Sequence, residues 1–201
     1  TTVMAAGDTL GGGLESVLPF HRIIFEKSAQ AGFPEVLFNL FPGMGAWDFT
    51  IRRAGFAVAN EMILSGHLYS AEELLYRRLI DVVVPDGDGE QAIDRVVREV
   101  DPRHRGTLAA LRAQRVAAPI RRESLVAIVD QWAESAMGLT DRDLRLMERL
   151  ARAQVRKAGG GDEGAVEEIK RLELEMAWGG ERRSGVERRA TPPAVDRRVR
   201  T

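Results

Sequence analysis

Two glutamates and a run of glycines are the residues of this 201-residue chain whose types and spacing suggest chemistry. "GGGLE" occupies Gly11 to Glu15, between apolar "TVMAA" and "SVLPF". If this turn leads from a strand into a helix, its backbone N–H groups are partly unpaired and are reinforced by the positive end of the helix dipole. Such a turn stabilises negative charge developing on oxygen, which makes it a candidate oxyanion hole for a thioester or other acyl group. Glycine suits it because a side chain would block the approach of a substrate carbonyl. Glu15 falls in the first turn of that helix, and Glu35 follows Pro34 in a largely apolar stretch from Ala31 to Phe41. A carboxylate among apolar neighbours tends to a raised pKa, which suits proton transfer near neutral pH, and two such groups can divide the work of acid and base. By spacing alone, the same residues also fit a linker or turn, a favourable charge at a helix start and a partly exposed loop glutamate.

Other chemistries find less support. The chain has no cysteine, which removes disulfides, thiolate metal sites and a cysteine nucleophile. His21, His67 and His104 are far apart without a partnering carboxylate pattern, so no metal site is expected. Ser16 and Ser28 lack a G-x-S-x-G setting, which argues against a serine nucleophile. A net charge of -1 advertises neither nucleic acid nor membrane. The arginine-rich tail around Arg182, Arg188 and Arg197 has interspersed acids and no aromatic after Trp178, so it reads as a solubilising or regulatory extension. Paired arginines in "IRRAG" (Arg52, Arg53) and "YRRLI" (Arg77, Arg78) read first as a solvated face, alternatively as a docking surface for an acidic carrier protein or for phosphates. No apolar run approaches the roughly 20 residues of a membrane span and no signal peptide is evident, so a cytoplasmic location is expected.

The elements that must position the glutamates alternate. Strands are expected at Thr2 to Ala6 and Arg22 to Phe25, with a short helix from about Gly12 between them. Pro34 and Pro42 bracket an apolar run, and the glycines around Met44 free the backbone for a tight loop before a helix. Helices are expected over Gly45 to Ala54 and Ala57 to Leu64. Ser70 with Glu73 makes a capping box, and Ile80 to Pro85 reads as a buried strand. Beyond it the apolar period is helical at Ile93, Val96, Val97 and Val100, at Leu125, Ile128, Val129, Trp132 and Ala136, and at Leu144, Met147, Leu150 and Ala151. This predicts an α/β unit followed by a layer of three or four helices. "KAGGGDEGA" at Lys157 to Ala165 reads as a linker, Val166 to Trp178 as one more amphipathic helix, and the remainder as a disordered tail. The chain opens without an initiator methionine on strand-like residues, which reads as a start inside a fold, an N-terminal truncation.

The segments "GDTLGGGLESVL", "AGFPEVLFNLFPGMGAWDFTIRRAG" and "EMILSGHLYSAEELLYRRLIDVVVP" resemble the crotonase superfamily, the enoyl-CoA hydratases and isomerases, over roughly Thr2 to Pro85. Within it, "PEVLFNLFPGMGAW", "LYSAEELL" and "DQWAESAM" look closest to the RpfF-type synthases of diffusible signal factor. The resemblance implies a partial crotonase-like ββα superhelix core. Residues 1–85 would carry its C-terminal part, 86–157 a helical oligomerisation layer, and 158–201 the linker, short helix and tail. It implies Gly12 as one oxyanion-hole donor, Glu15 and Glu35 as the catalytic pair, and Met44, Trp132 and Leu150 in a fatty-acyl pocket. The second oxyanion donor and much of the pantetheine site lie in the family upstream of residues matching Thr1. The activity implied is dehydration of a 3-hydroxyacyl carrier-protein thioester, then thioester hydrolysis, giving a cis-2-unsaturated fatty-acid quorum-sensing signal. The alternatives are a generic enoyl-CoA hydratase or isomerase acting on acyl-CoA, and a non-catalytic acyl- or partner-binding homologue. No cofactor beyond the pantetheine thioester substrate is implied. The implied partners are acyl carrier protein or acyl-CoA, a sensor-kinase receiver domain, and further copies of the chain as a trimer or hexamer.

Overall fold

The computed structural model describes residues 1–158 and Arg171, and the chain begins as two similar turns of a coil. β1 (Thr2–Ala5), β2 (Thr9–Leu10) and α1 (Gly12–Val17) make the first turn. β3 (Arg22–Glu26), β4 (Gln30–Gly32) and a 3-10 helix over Pro34–Phe38 make the second. Each turn contributes one strand to each of two small sheets. After α2 (Ala46–Ala54) and α3 (Phe56–Ser65), β5 (Leu68–Ser70) joins β4 antiparallel, and after α4 (Ala71–Tyr76), β6 (Val82–Val84) joins β3 in parallel. Within the sheets β1 pairs β3 in parallel, with Thr2 opposite Arg22, and β2 pairs β4 in parallel, with Thr9 opposite Ala31. Those registers place a residue some 20 to 22 positions further on one turn above its predecessor. Glu15 and Glu35 follow the paired strands β2 and β4 in successive turns, and the Glu15 charge is felt at Glu35.

β3 lies centrally, and Ile23, Ile24 and Phe25 are all buried, as expected of a parallel strand covered on both faces. One side faces Leu14, Leu18, Phe33, Met62 and Leu74. On the other, Ile24 meets Val84 and Ala92 of α5 (Gly89–Val100). Ser70 caps α4 as expected, its hydroxyl accepting from the Glu73 N–H while the Glu73 carboxylate accepts from the Ser70 N–H. α6 (His104–Ala117), α7 (Arg122–Met137) and α8 (Asp141–Ala158) complete the described helices.

Some expectations change. The apolar run Ile80 to Pro85 yields only β6, at the edge of its sheet; Ile80 is buried before the strand starts, and Val82 and Val83 are half-buried. Pro34 does not merely bracket a loop. It opens a 3-10 helix, where its missing N–H costs nothing and its fixed φ fits the first turn. α6 has no strong apolar period, and none of its residues is buried. The linker expected from Lys157 starts later, because Lys157 and Ala158 are still helical in α8. The rest of that linker, the helix expected over Val166 to Trp178 and the arginine-rich tail lie outside the described residues apart from helical Arg171. Among the described residues, no helix is long and apolar enough to cross a membrane, and no group of three His, Asp or Glu side chains could hold a metal ion.

Candidate active site

The glycine turn follows β2 and lies beside both glutamates. Gly11 caps α1 with φ 52° and ψ -122°, a conformation that only glycine holds without strain. Its N–H donates to Gly32 O at 2.8 Å, which fastens the end of β2 to the end of β4. Its missing side chain matters equally: Glu35 Oε1 occupies the space a Cβ at Gly11 would need. The 3-10 helix that Pro34 opens thus delivers Glu35 directly onto the glycine turn, while Glu15 sits one turn into the helix that the same glycine starts.

The two carboxylates have unlike surroundings. Glu15 is only 4% exposed, and its Oε1 accepts N–H groups from Met44 at 2.6 Å and Ala46 at 3.0 Å. Those amides belong to the start of α2, where Gly45 turns in the left-handed region with φ 114°. Burial pushes the Glu15 carboxyl up from its ordinary value, and the Ala46 and Met44 amides oppose the shift by bonding to the charged form. Glu35 has less help. Its Oε2 is buried without a hydrogen-bond partner among the described residues. Burial pushes it up to about 7, its own backbone N–H opposes the rise, and the nearby Glu15 charge adds to it. Both carboxyls are raised, Glu35 further: two amides favour the charged form of Glu15, and Glu35 Oε2 has no such donor among the described residues.

Gly12 is the first helical residue of α1, so its N–H has no carbonyl in the helix to receive it. The Met44 methyl lies above it, 2.7 Å from where a Gly12 Cβ would stand, although Met44 is otherwise 63% exposed. Trp132 reaches from α7 to cover Gly43, 2.5 Å from an added Cβ. Met44 and Trp132 therefore meet the same Gly43–Gly45 loop that holds Glu15. Leu150 does not join them. It is buried with Phe38, Leu40 and Ala153 where α8 packs on the end of the 3-10 helix.

Two parts of this site escape a reading of the sequence. Gly11 is one glycine of three, and nothing in the string marks it as the one under Glu35. Met44 draws notice for its side chain, whereas its backbone N–H holds Glu15. The signal is present in "GMG", which declares a tight loop before a helix, but the loop's acceptor lies 29 residues earlier and only the fold pairs them.

Comparison with known proteins agrees with this arrangement. Residues 2–133 match the family model for enoyl-CoA hydratase/isomerase. The peroxisomal fatty acid beta-oxidation multifunctional protein AIM1 of Arabidopsis thaliana is 40% identical over 82 residues, 41% of this chain and 11% of that protein. The peroxisomal bifunctional enzyme of Homo sapiens is 38% identical over 87 residues, 43% of this chain and 12% of that protein. The chain thus spans little more than a tenth of the length of these relatives. Among solved structures, one from Streptomyces avermitilis described as an enoyl-CoA hydratase superposes with a TM-score of 0.68 at 24% identity, covering 89% of this chain and 62% of that one, a likeness of fold. The Bacillus anthracis enoyl-CoA hydratase has a TM-score of 0.51 at 25% identity, covering 74% and 59%. The family match includes the glycine turn, both glutamates and the loop that holds Glu15, and this chain belongs to the enoyl-CoA hydratase/isomerase family.

Proposed function

We propose that Glu15 and Glu35 move protons as water is added to, or removed from, the C2–C3 bond of an acyl thioester. The observation that carries this reading is the unequal pair on one glycine turn, a carboxylate that accepts two amides beside a carboxyl with a pKa of about 7. In the hydration direction, Glu15 takes a proton from water as its oxygen bonds to C3, and the Glu35 carboxyl gives its proton to C2. Dehydration runs the same transfers backwards, with Glu35 taking the C2 proton and Glu15 protonating the departing hydroxyl. The thioester carbonyl gains negative charge in either direction, and the Gly12 N–H is the donor this chain offers to it. Met44 would have to swing off Gly12 to admit that carbonyl, which its unbranched side chain permits.

The finer reading is dehydration of a 3-hydroxyacyl carrier-protein thioester followed by hydrolysis of the thioester, releasing thiol and a free cis-2-enoic acid. The same carboxylates would align water against the carbonyl carbon, and the motif resemblance supports this over simple reversible hydration. The alternative is that an acyl-CoA is hydrated or dehydrated and no acid is released. Product analysis separates them: the full-length protein given a 3-hydroxyacyl carrier-protein thioester is expected to release free unsaturated acid and an equivalent of thiol. Conversion without free thiol would eliminate the hydrolytic step. Exposed apolar residues at helical spacing, Val97, Val129 and Leu144 among them, support the further expectation that copies of the chain assemble through α5, α7 and α8.

A pH dependence follows. The productive pair carries one proton in both directions, on Glu35 for hydration and on Glu15 for dehydration, so its macroscopic titrations are shared. The profile of kcat/KM is expected to be bell-shaped in both directions. Its alkaline limb falls as pH rises through about 7, when the pair loses its last proton, and its acid limb falls when Glu15 and Glu35 are both protonated. An alkaline limb near 9 or above would contradict the assignment.

A further inference from the structure

A cavity of about 210 Å³ shares no residue with the glutamate site. Its walls come from four places: His21 before β3, Arg52 and Arg53 in the last turn of α2, Arg78 and Asp81 between α4 and β6, and Gln114 of α6. The cations there are not equivalent. Arg53 is committed to the fold, donating to Leu79 O at 2.7 Å, Phe20 O at 2.8 Å and Asp81 Oδ2 at 2.7 Å. Among the described residues, Asp81 is the only acid in the lining, and it is likewise occupied, accepting also from the Ile23 N–H at 2.7 Å. Among the described residues, neither Arg52 nor Arg78 forms a salt bridge. The lining therefore offers two guanidinium forks, the Gln114 amide and an imidazole, with no acid left to answer them. Burial lowers the His21 pKa, and the charges of Arg115, Arg52 and Arg53 lower it further.

Arg78 supplies an independent observation. It has φ 61°, and Asn39 is the only other non-glycine described residue with positive φ. Asparagine tolerates that region well, and Asn39 ends the 3-10 helix there, with its amide bonded to Asp143 at 2.7 Å. Arginine has no such excuse; glycine would hold the turn after α4 without strain and would lose little in packing, since Arg78 is not buried. What arginine adds at this position is a cation on the cavity wall.

We propose that this cavity is a binding site for a phosphate group, held by Arg52 and Arg78 with Gln114 completing the donors. Guanidinium forks match the paired oxygens of a phosphate, and a dianion answers the two unpaired cations that the walls gather. The group can be free phosphate or the phosphomonoester of a small metabolite. The test uses the full chain, titrated by calorimetry with inorganic phosphate in one arm and glycerol 3-phosphate in the other. Saturable binding is expected in at least one arm, and the tighter arm identifies the source. Arg78→Gly is expected to weaken it about tenfold or more while leaving the melting temperature equal to or above that of the parent, because glycine relieves the turn. Arg52→Gln should weaken it similarly, and Glu35→Gln should leave it unchanged. Absence of saturation in both arms at about 10 mM, or full affinity retained in Arg78→Gly, would overturn the proposal.

Discussion

Replacing Glu35 by glutamine is expected to lower turnover of the thioester by about 10²–10⁴-fold while making the protein more stable at alkaline pH. The two effects have one cause. In the folded chain the Glu35 carboxyl keeps its proton up to about 7, against an ordinary value of 4.5. Between those values the folded state binds more protons than the unfolded state, so stability declines as pH rises through this window. By pH 8 the accumulated penalty is on the order of 3 kcal/mol at most, since each tenfold difference in proton affinity between the folded and unfolded states is worth about 1.4 kcal/mol. Glutamine cannot ionise, so it escapes the penalty and loses the proton. Denaturant titrations at pH 5 and pH 8 should show parent and variant converging at the acid value and separating at the alkaline one. Glu15→Gln should be equally inactive with a smaller gain, because the Met44 and Ala46 amides offset part of the burial that raises its pKa. A Glu35→Gln protein that retains turnover within threefold of the parent would remove Glu35 from the proton transfers.

The residues that make the site legible in the string are those whose chemistry is local. Proline before Glu35, an apolar stretch around it, and glycines before Glu15 each state a backbone or burial preference that needs no distant partner, and the structure keeps all three. The capping box at Ser70 and Glu73 is legible for the same reason. What stays hidden depends on register. That Glu15 is held by amides of the "GMGAW" loop, and that Gly11 rather than Gly12 or Gly13 lies beneath Glu35, follows from parallel pairing of β2 with β4, two strands too short to show a period of their own. The arginine pairs show the opposite limit. Composition offers a solvated face, yet Arg53 is drawn inward by two carbonyls and Asp81, and Arg77 lies 4.5 Å over the Tyr69 ring while pairing with Glu61 at 2.9 Å. Leu150 illustrates how a helical period is ambiguous about its face and its partner: of Leu144, Met147, Leu150 and Ala151, Leu144 and Ala151 are exposed, and the buried face through Leu146, Leu150 and Ala153 covers Phe38 and Leu40 rather than the loop at Met44.

The three adjacent glycines should respond to alanine in three different ways, and the differences test the geometry of the site more sharply than any one substitution. At Gly11 an added methyl overlaps Glu35 Oε1 and the backbone lies where L-residues are strained, so Gly11→Ala should cost about 1–3 kcal/mol of stability from backbone strain and displace the carboxylate as well. A shift of about 1 Å in a reacting group is worth about 10²-fold in rate, so activity should fall by at least that much even in the fraction that folds. At Gly12 an added methyl meets the Met44 methyl at 2.7 Å, the mobile end of a flexible side chain, so Gly12→Ala should fold normally and lose activity through the crowded approach to its N–H. At Gly13 it meets only Thr9 Cγ2 at 3.6 Å, with ordinary negative φ in a helix. Gly13→Ala should therefore be neutral or stabilising by about 0.5–1 kcal/mol with activity retained, because alanine loses less conformational freedom on entering the helix. Denaturant midpoints and turnover measured on the three variants check this order. If Gly11→Ala were as benign as Gly13→Ala, Glu35 would not rest on the glycine turn.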